Sequence, residues 1–389
     1  MDFHPNPVRA RITATTMIAA VTTIALGMTA ASSAARSVKP PPPTVKISGK
    51  AYRFNHMDTP LPGATIKVRE FPKLQATTAA DGDYVLKVPD DRNVTPYIVS
   101  GSIPPGTDPG SQHYNEIDLQ TFHPRGKDLV NANFQVPTDL EYGGLKALLN
   151  VPADENGRPE QCAIVTTASD RDVRGVDYQT FWDRTKLDEN GVHGHGVPGA
   201  TSIGVPSLGA PTYFNDNVIP DKTKTATSSD GGIIWEIVPA GSYRIITSHP
   251  DKRFASFLAT CEDGRVVNAN PPWGAYELAQ GERPLAASNV AGNVTKVKAA
   301  RQGKRKRYLA ITVRTAEPLV LRATLLKGKP VIERVNKRKV GPGTTVVRFP
   351  IKRRVPAGIG KVRYSLADAT GIDFGGAETV LVPKLPGRR

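Results

Sequence analysis

The chain has 389 residues and a net charge of +15, and this length is sufficient for two or three domains that each bury a core. Residues 286–389 hold 24 Lys and Arg against 5 Asp and Glu, a net charge of +19, so one end of the chain carries the whole excess of positive charge. After residue 31 no apolar run approaches the ~20 residues that a membrane-spanning helix needs, which excludes further transmembrane helices.

Residues 1–35 have the pattern of a secretory signal peptide. Two arginines precede an apolar, Thr- and Ala-rich run from Ile12 to Ala31, and small residues follow it. The run is close to spanning length, so an uncleaved membrane anchor is the alternative. Residues 36–44 include four consecutive prolines and are expected to form an extended linker. We therefore expect a secreted protein that is extracellular or associated with the cell surface.

Alternating apolar and polar residues predict strands in the segment that follows. The stretches TVKISGKAYRF, ATIKVREF and DYVLKVP alternate, with Gly, Pro and Asp between them. Pro62-Gly63 predicts a turn in which the glycine takes a positive φ, and Asp81-Gly82 predicts a hairpin turn. LEYGGLKALLNV comes nearest to a helical period, but its two glycines weaken it. The predicted fold class is therefore all-β.

A short phrase occurs twice in the chain. PGAT stands at Pro62–Thr65 and again at Pro198–Thr201, and each copy is followed by alternating residues and an Asp-Gly pair, the second at residues 230–231. The recurrence predicts two related β-sandwiches, here called the first sandwich (residues 45–138) and the second sandwich (residues 139–281), the second enlarged by insertions.

The first sandwich resembles a carboxypeptidase regulatory-like domain, which has a transthyretin-like fold, in ISGKAY, PLPGATIKV, TTAADGDYVLKV and NANFQV. The second resembles the same family more loosely, in GVPGAT, SSDGG and VPAGSYRI. Residues 286–386, the third sandwich, alternate apolar with basic residues and resemble by pattern the short Ig-like domains that end many exported bacterial proteins. The resemblances imply three tandem antiparallel β-sandwiches.

The two cysteines lie near the start and the end of the second sandwich. An even number of cysteines in an exported protein indicates a disulfide, so Cys162 and Cys261 are expected to be bonded and to tie the first strand to the last. Two buried free thiols are the alternative.

Several residue patterns could bind a small ligand or a metal. Transthyretin-like sandwiches share their fold with several starch-binding modules, which stack sugars on aromatic rings; the candidate rings here are Phe181, Trp182, Tyr213 and Trp273, for each of which burial is the alternative. His193 and His195 could share a transition metal if the segment is extended, and a Gly-rich surface loop is the alternative. ADENGR and LDENGV resemble calcium loops but lack the twelve-residue register, so turns are expected there.

The densest positive charge lies in three short clusters of the third sandwich. Three such clusters in one small domain favour an anionic partner, and solvent-exposed charge without a partner is the alternative. Base-stacking aromatic residues are few in this segment, which argues against nucleic acid. The candidate residues are Lys296, Lys298, Arg301, Lys304, Arg305, Lys306, Arg307, Lys337, Arg338, Lys339, Lys352, Arg353 and Arg354.

These patterns predict a non-catalytic exported protein that acts as a surface- or wall-associated binding or adhesion module. Its third sandwich is expected to dock on an anionic polysaccharide, a cell-wall polymer or an anionic membrane surface. Two alternatives remain from the residues alone: a neutral carbohydrate bound by loops of the second sandwich, and a metal-dependent enzyme built around His193 and His195. The sequence contains no phosphate-binding loop, nucleophile elbow or Cys/His zinc spacing, and no cofactor is predicted.

Overall fold

The computed structural model of the protein describes residues 43–102, 116–155, 157–186, 188–189, 194–285, 287, 290–303, 306–327, 331–371 and 373–386, with the backbone alone for 331–337. The predicted signal peptide lies outside these residues, as does most of the predicted linker. Strands dominate, which confirms the all-β prediction. Neither helix in the described part of the chain has the length and apolar character required to cross a bilayer.

The first sandwich packs two sheets around buried aliphatic residues such as Ile47, Ile66 and Leu86. One sheet has the order β2-β1-β5, with β8 added in parallel to β1, and the other contains β4-β3-β6-β7. Its strands are β1 (Thr44–Arg53), β2 (His56–Pro60), β3 (Thr65–Val68), β4 (Phe71–Thr77), β5 (Asp83–Pro89), β6 (Pro96–Ile98), β7 (Ile117–Asp118) and β8 (Phe134–Val136). Alternate residues of β5 are buried, as its sequence pattern predicts.

Two helices depart from the sequence prediction. The stretch LEYGGLKALLNV, in which two glycines argue against a helix, forms α1 (Asp139–Leu149), because Thr138 and Glu141 make a capping box and the glycines face open space. The second helix, α2 (Tyr178–Thr185), begins at Asp177, whose carboxylate accepts from the Thr180 N–H at 3.0 Å. A 3-10 turn at Arg171–Val173 precedes α2.

The second sandwich shares a sheet with the first. Strand β7 pairs in parallel with β17, and β17 pairs in parallel with β9, so one sheet runs from residues 45–138 into residues 139–281. These parallel pairs differ from the purely antiparallel arrangement that was predicted. The strands are β9 (Cys162–Ser169), β10 (Thr201–Val205), β11 (Thr212–Phe214), β12 (Pro220–Asp221), β13 (Gly232–Val238), β14 (Gly241–Ser248), β15 (Arg253–Phe254), β16 (Phe257–Cys261), β17 (Val266–Ala269) and β18 (Ala275–Leu278).

The expected disulfide between Cys162 and Cys261 is present, with the two Cα atoms 5.6 Å apart. Both residues are buried in the core of the second sandwich. The bond joins the first residue of β9 to the last residue of β16. The prediction that it joins the first strand to the last is wrong, because β17 and β18 follow β16 and pair with β9 themselves.

The third sandwich consists of a three-stranded sheet, β19-β20-β23, and a four-stranded sheet, β22-β21-β24-β25. Its core contains Leu309, Ile311, Leu321 and Val362. The strands are β19 (Gly292–Gln302), β20 (Lys306–Thr315), β21 (Leu319–Leu326), β22 (Val331–Val340), β23 (Gly343–Ile351), β24 (Gly358–Ala367) and β25 (Asp373–Val382). All neighbouring strands in these two sheets are antiparallel.

Candidate functional site

The repeated PGAT phrase forms the same turn in both sandwiches. Gly63 and Gly199 have φ values of +78° and +81°, which only glycine adopts without strain. The Gly63 N–H donates to the Thr78 carbonyl at 3.0 Å, and the Gly199 N–H donates to the Thr227 carbonyl at 2.8 Å. Each threonine hydroxyl also accepts from the N–H of the alanine that follows the glycine. The two turns therefore make the same hydrogen bonds. Residues at the same sequence offset from each turn hold equivalent positions.

Asp81 and Asp230 hold equivalent positions, each three residues after its threonine. Each carboxylate accepts from the N–H two residues on, at 3.2 Å from Asp83 and 3.0 Å from Gly232. Their surroundings differ. Asp81 is exposed and lies 3.2 Å from the Lys50 ammonium, whereas the Asp230 residue is 5% exposed and has no ion pair among the described residues. The same turn thus presents a solvated, paired carboxylate in one sandwich and a buried one in the other.

Two glycines account for the burial of Asp230. A Cβ atom on Gly196 would lie 2.3 Å from the Asp230 carbonyl carbon, and one on Gly231 would lie 2.8 Å from the Gly196 Cα. The Gly196 N–H donates to the Ser229 carbonyl at 3.0 Å. The backbone that follows His195 can therefore lie directly on the Asp230 hairpin and cover it, an approach that any larger side chain would prevent.

A cleft of about 60 Å³, here called the α2 cleft, opens beside this hairpin. It lies where the β1–β2 hairpin of the first sandwich meets α2 and the β9 and β13 strands of the second. Four phenylalanine and tryptophan rings line it, and half of its 18 lining residues are polar or charged. The residues important to its chemistry are Phe54, Phe181, Trp182, Phe214, His195 and Asp230.

The electrostatics of the α2 cleft centre on Asp230. Burial raises the pKa of the Asp230 carboxyl to about 6; the nearby Asp216 charge adds to the rise, and the hydrogen bond from the Gly232 N–H opposes it. The turn N–H of Asp83 and the Lys50 ammonium instead lower the pKa of Asp81. Lys186 also lines the cleft, but its ammonium lies 3.1 Å from the Asp183 carboxylate and not on Asp230.

Two of the four predicted ligand-binding rings line the α2 cleft. Phe181 is buried and Trp182 is half-buried, both on α2. Tyr213 is 5% exposed, and its hydroxyl accepts from the Ser202 N–H at 3.2 Å. Trp273 is 6% exposed, and its indole packs edge-on against Phe122 and donates to a backbone carbonyl at 3.0 Å. Tyr213 and Trp273 are therefore core residues and, unlike Phe181 and Trp182, do not line the α2 cleft.

The predicted metal pair is described only in part. His193 lies outside the described residues, and His195 lines the α2 cleft. In the described ranges no group of three His, Cys, Asp or Glu side chains converges as a metal site would require. In ADENGR, Asp154 accepts from the Arg158 N–H at 2.8 Å, which is the geometry of a turn. The described donors therefore do not make up a transition-metal or calcium site.

Two of the three basic clusters meet at one end of the third sandwich. The β19–β20 hairpin pairs with β23, so the hairpin end lies beside the turn that follows Ile351. The exposed side chains there are here called the cationic end: Arg301, Lys306, Lys352, Arg353 and Arg354. No Asp or Glu occurs in residues 296–316 or 334–367, which supply most of this part of the sandwich. Lys304 and Arg305 lie outside the described residues.

Arg307 was predicted to bind an anionic polymer, but its side chain is used inside the protein. The residue is 4% exposed. Its guanidinium donates to the carbonyls of Lys352, Arg353 and Val355 at 3.0, 3.2 and 2.7 Å, and to the Pro383 carbonyl at 3.1 Å. These bonds fix the turn that projects the neighbouring cations.

The remaining predicted cations lie elsewhere. Arg338 and Lys339 are exposed near the end of β22, and only the backbone of Lys337 is described. Arg338 is in register with Leu366, which is eight residues along β24 from Gly358 at the cationic end. The distance along the strand between Arg338 and the cationic end is therefore about 27 Å.

Lys296 and Lys298 lie on the outer face of the β19-β20-β23 sheet. The strand pairing places Arg348 on the same face, and the prediction from charge runs missed this residue.

Comparisons with known proteins give no family. No protein-family model matches the chain, and no curated protein matches it, so the resemblance to carboxypeptidase regulatory-like domains stays an expectation.

Among solved structures, wild-type OgpA from Akkermansia muciniphila matches 32% of this chain and 40% of its own, at 10% identity and a TM-score of 0.20; this chain thus spans less than half of OgpA. The major pilin subunit BcpA of Bacillus cereus matches over 57% of this chain and 69% of its own, at 12% identity and a TM-score of 0.15. A tetra-tandem repeat from the extending region of a large adhesion protein covers 87% of this chain and 73% of its own, at 11% identity and a TM-score of 0.18. Likenesses this weak carry no argument about function.

Proposed function

We propose that the chain is an exported, non-catalytic binding protein that attaches to an anionic polysaccharide through the cationic end of its third sandwich. The observation that carries the proposal is the convergence of five exposed cations on one turn and one hairpin, held in place by the buried Arg307. Clustered charge of one sign raises the local concentration of a polyanion and accelerates its association.

Two further observations support the proposal. Disulfides persist in oxidising compartments, so the Cys162–Cys261 bond favours an exported protein at the cell surface. Two carboxylates of the third sandwich face the second sandwich, since Glu317 pairs with Arg244 and Asp368 accepts from Ser256 at 2.7 Å. These two carboxylates therefore lie at the end of the third sandwich opposite the cationic end.

The test compares two pairs of exposed cations at opposite ends of the third sandwich. The mature chain is applied to immobilised heparin, a sulfated polysaccharide used as the probe, and to neutral dextran, across a series of salt concentrations. Arg353→Ser/Arg354→Ser removes two charges from the cationic end, and Arg338→Ser/Lys339→Ser removes two charges from the far end of β22.

We expect the first pair to weaken heparin binding at least tenfold at low salt and the second pair to weaken it less than threefold. Binding should fall steeply as salt rises, because exposed charges are screened. Equal losses in both variants would mean that only net charge matters, and would overturn the assignment of the cationic end. Retained binding to neutral dextran at high salt would favour a neutral carbohydrate instead.

A further inference from the structure

The internal repeat allows Asp230 to be compared with Asp81, which holds the equivalent position in the first sandwich. The fold does not require a buried charge at this position, because the equivalent Asp81 makes the same turn while exposed and paired with Lys50. Nor does the turn require a carboxylate, because an asparagine side chain accepts the same N–H of residue i+2. A negative charge at a site that is 5% exposed is costly unless a cation accompanies it.

The carboxylate of Asp230 lines the α2 cleft. Asp230 Oδ2 accepts from the Gly232 N–H, and Oδ1 has no hydrogen-bond partner within the described residues. A Cβ atom on Gly232 would lie 2.4 Å from Asp230 Oδ2 and 2.7 Å from Cγ of Phe214, so the missing side chain is what lets this carboxylate lie close to an aromatic ring. Phe181 and the half-buried Trp182 form another wall of the same cleft.

A carboxylate beside aromatic rings favours a cationic ligand. Ammonium groups are attracted both to a carboxylate and to the faces of aromatic rings, and both attractions strengthen where water is excluded. Neutral sugars would leave the Asp230 charge without a counterion, and anions would be repelled by it. The only lysine that lines the described part of the cleft, Lys186, is engaged by Asp183 at the rim.

We propose that the α2 cleft binds an organic ammonium group, with Asp230 as its counterion and Phe181, Trp182 and Phe214 as its aromatic wall. The ligand would place only a small group inside the protein, because the cleft has a volume of about 60 Å³. An amino sugar and a lysine side chain of a peptide both supply this chemistry. The residues named for this site belong to the second sandwich, and the cationic end belongs to the third. The two assignments are therefore tested independently.

The experiment is isothermal titration of the full mature chain at pH 7.5 with benzylamine and with benzyl alcohol, which has the same ring but no charge. We expect saturable binding of benzylamine at one site, at least tenfold tighter than binding of the alcohol. Glucosamine and Nα-acetyl-lysine-N-methylamide are titrated in parallel, and the tighter of the two identifies the source of the ammonium group. Equal affinities for benzylamine and benzyl alcohol, or no binding of any amine, would overturn the proposal.

The variants use the repeat as a matched pair. Asp230→Asn keeps the turn acceptor and removes the charge, so benzylamine affinity should drop at least tenfold while thermal unfolding shows an intact fold. Asp81→Asn makes the same change at the equivalent exposed position and should leave the affinity within twofold of the parent. Comparable losses in both variants would assign the binding to general surface charge and sink the α2 cleft as the site. Heparin binding should be unchanged in Asp230→Asn.

Discussion

Arg244 and Glu317 form an ion pair across the junction of the second and third sandwiches, and each side chain is only 3% exposed. The Arg244 Nε–H donates to Glu317 Oε2 at 2.6 Å, and a second guanidinium N–H donates to Oε1. The carboxylate also accepts from the Ala291 N–H at 2.7 Å, so its acceptor positions are well used. The pair therefore couples the β14 strand of one core to the start of β21 in the other.

Removing one partner of this pair should destabilise the protein strongly. Glu317→Ala leaves the Arg244 guanidinium buried without a counterion, and a loss of about 3–5 kcal/mol in the free energy of unfolding is expected. Urea unfolding followed by circular dichroism measures it. Arg283→Ala is the control, since Arg283 is 74% exposed and 3.6 Å from Asp373, and should cost less than about 1 kcal/mol. A loss below about 1 kcal/mol for Glu317→Ala would contradict the structural role of the pair.

The sequence predicts features whose cause is local. Positive φ at Gly63 and Gly199 follows from the Pro-Gly dipeptide, and the alternation of β5 follows from its period of two. The helix α1 could also have been predicted, because Thr138 and Glu141 have the spacing of a capping box, but the two glycines outweighed that signal. The pairing of Cys162 with Cys261 required only that the chain hold two cysteines.

Features that depend on distant contacts could not be predicted. The burial of Asp230 arises because the segment that contains Gly196 folds over the hairpin, and nothing in SSDGG indicates it. Arg307 lies in a basic run that looks uniformly solvated, yet the pairing of β20 with β23 turns its side chain inward. Aligning the two copies through Thr78 and Thr227 would have shown that Asp81 and Asp230 hold equivalent positions. It could not have shown which of the two carboxylates is buried.

The disulfide should contribute substantially to stability. It closes a loop with a sequence separation of 99, for which the chain-entropy model gives about 4–5 kcal/mol. Cys162→Ala/Cys261→Ala should therefore lower the free energy of guanidinium unfolding by about 3–5 kcal/mol under non-reducing conditions. Under strong reduction the parent and the variant should converge once the parent bond is broken. A difference that persists after complete reduction would show that cavity formation, and not the cross-link, dominates.

Arg307 should support polymer binding without touching the polymer. Arg307→Met deprives the carbonyls of Lys352, Arg353 and Val355 of their donor, so the turn that holds the cationic end loses its fixed form. We expect heparin affinity to fall about threefold or more and the free energy of unfolding to fall by about 1–3 kcal/mol. Arg348→Met is the control of equal charge; Arg348 is exposed on the sheet face beside Tyr308. A larger affinity loss for Arg348→Met would indicate that the polymer binds the sheet face.

Asp230 should make stability depend on pH in the opposite sense from an ordinary paired carboxylate. Its pKa is about 6 in the folded protein and about 3.9 in the unfolded chain. Between pH 4 and pH 6 the folded state holds the extra proton, so the free energy of unfolding falls as pH rises through this window, by about 3 kcal/mol in all.

Asp230→Asn removes this dependence. The variant should therefore gain stability over the parent as pH rises from 4 to 7.5, by up to about 3 kcal/mol. The interaction of the Asp230 charge with Asp216, and with the cleft-lining His195 and Lys186, is part of this difference, and only contributions that do not involve Asp230 cancel. Urea unfolding at half-unit pH steps measures it. Asp81→Asn should show the reverse sign, because the Asp83 N–H and Lys50 stabilise the Asp81 charge in the folded state. A parent-minus-variant difference that stays flat across this range would mean that Asp230 is well solvated, and that burial does not raise its pKa.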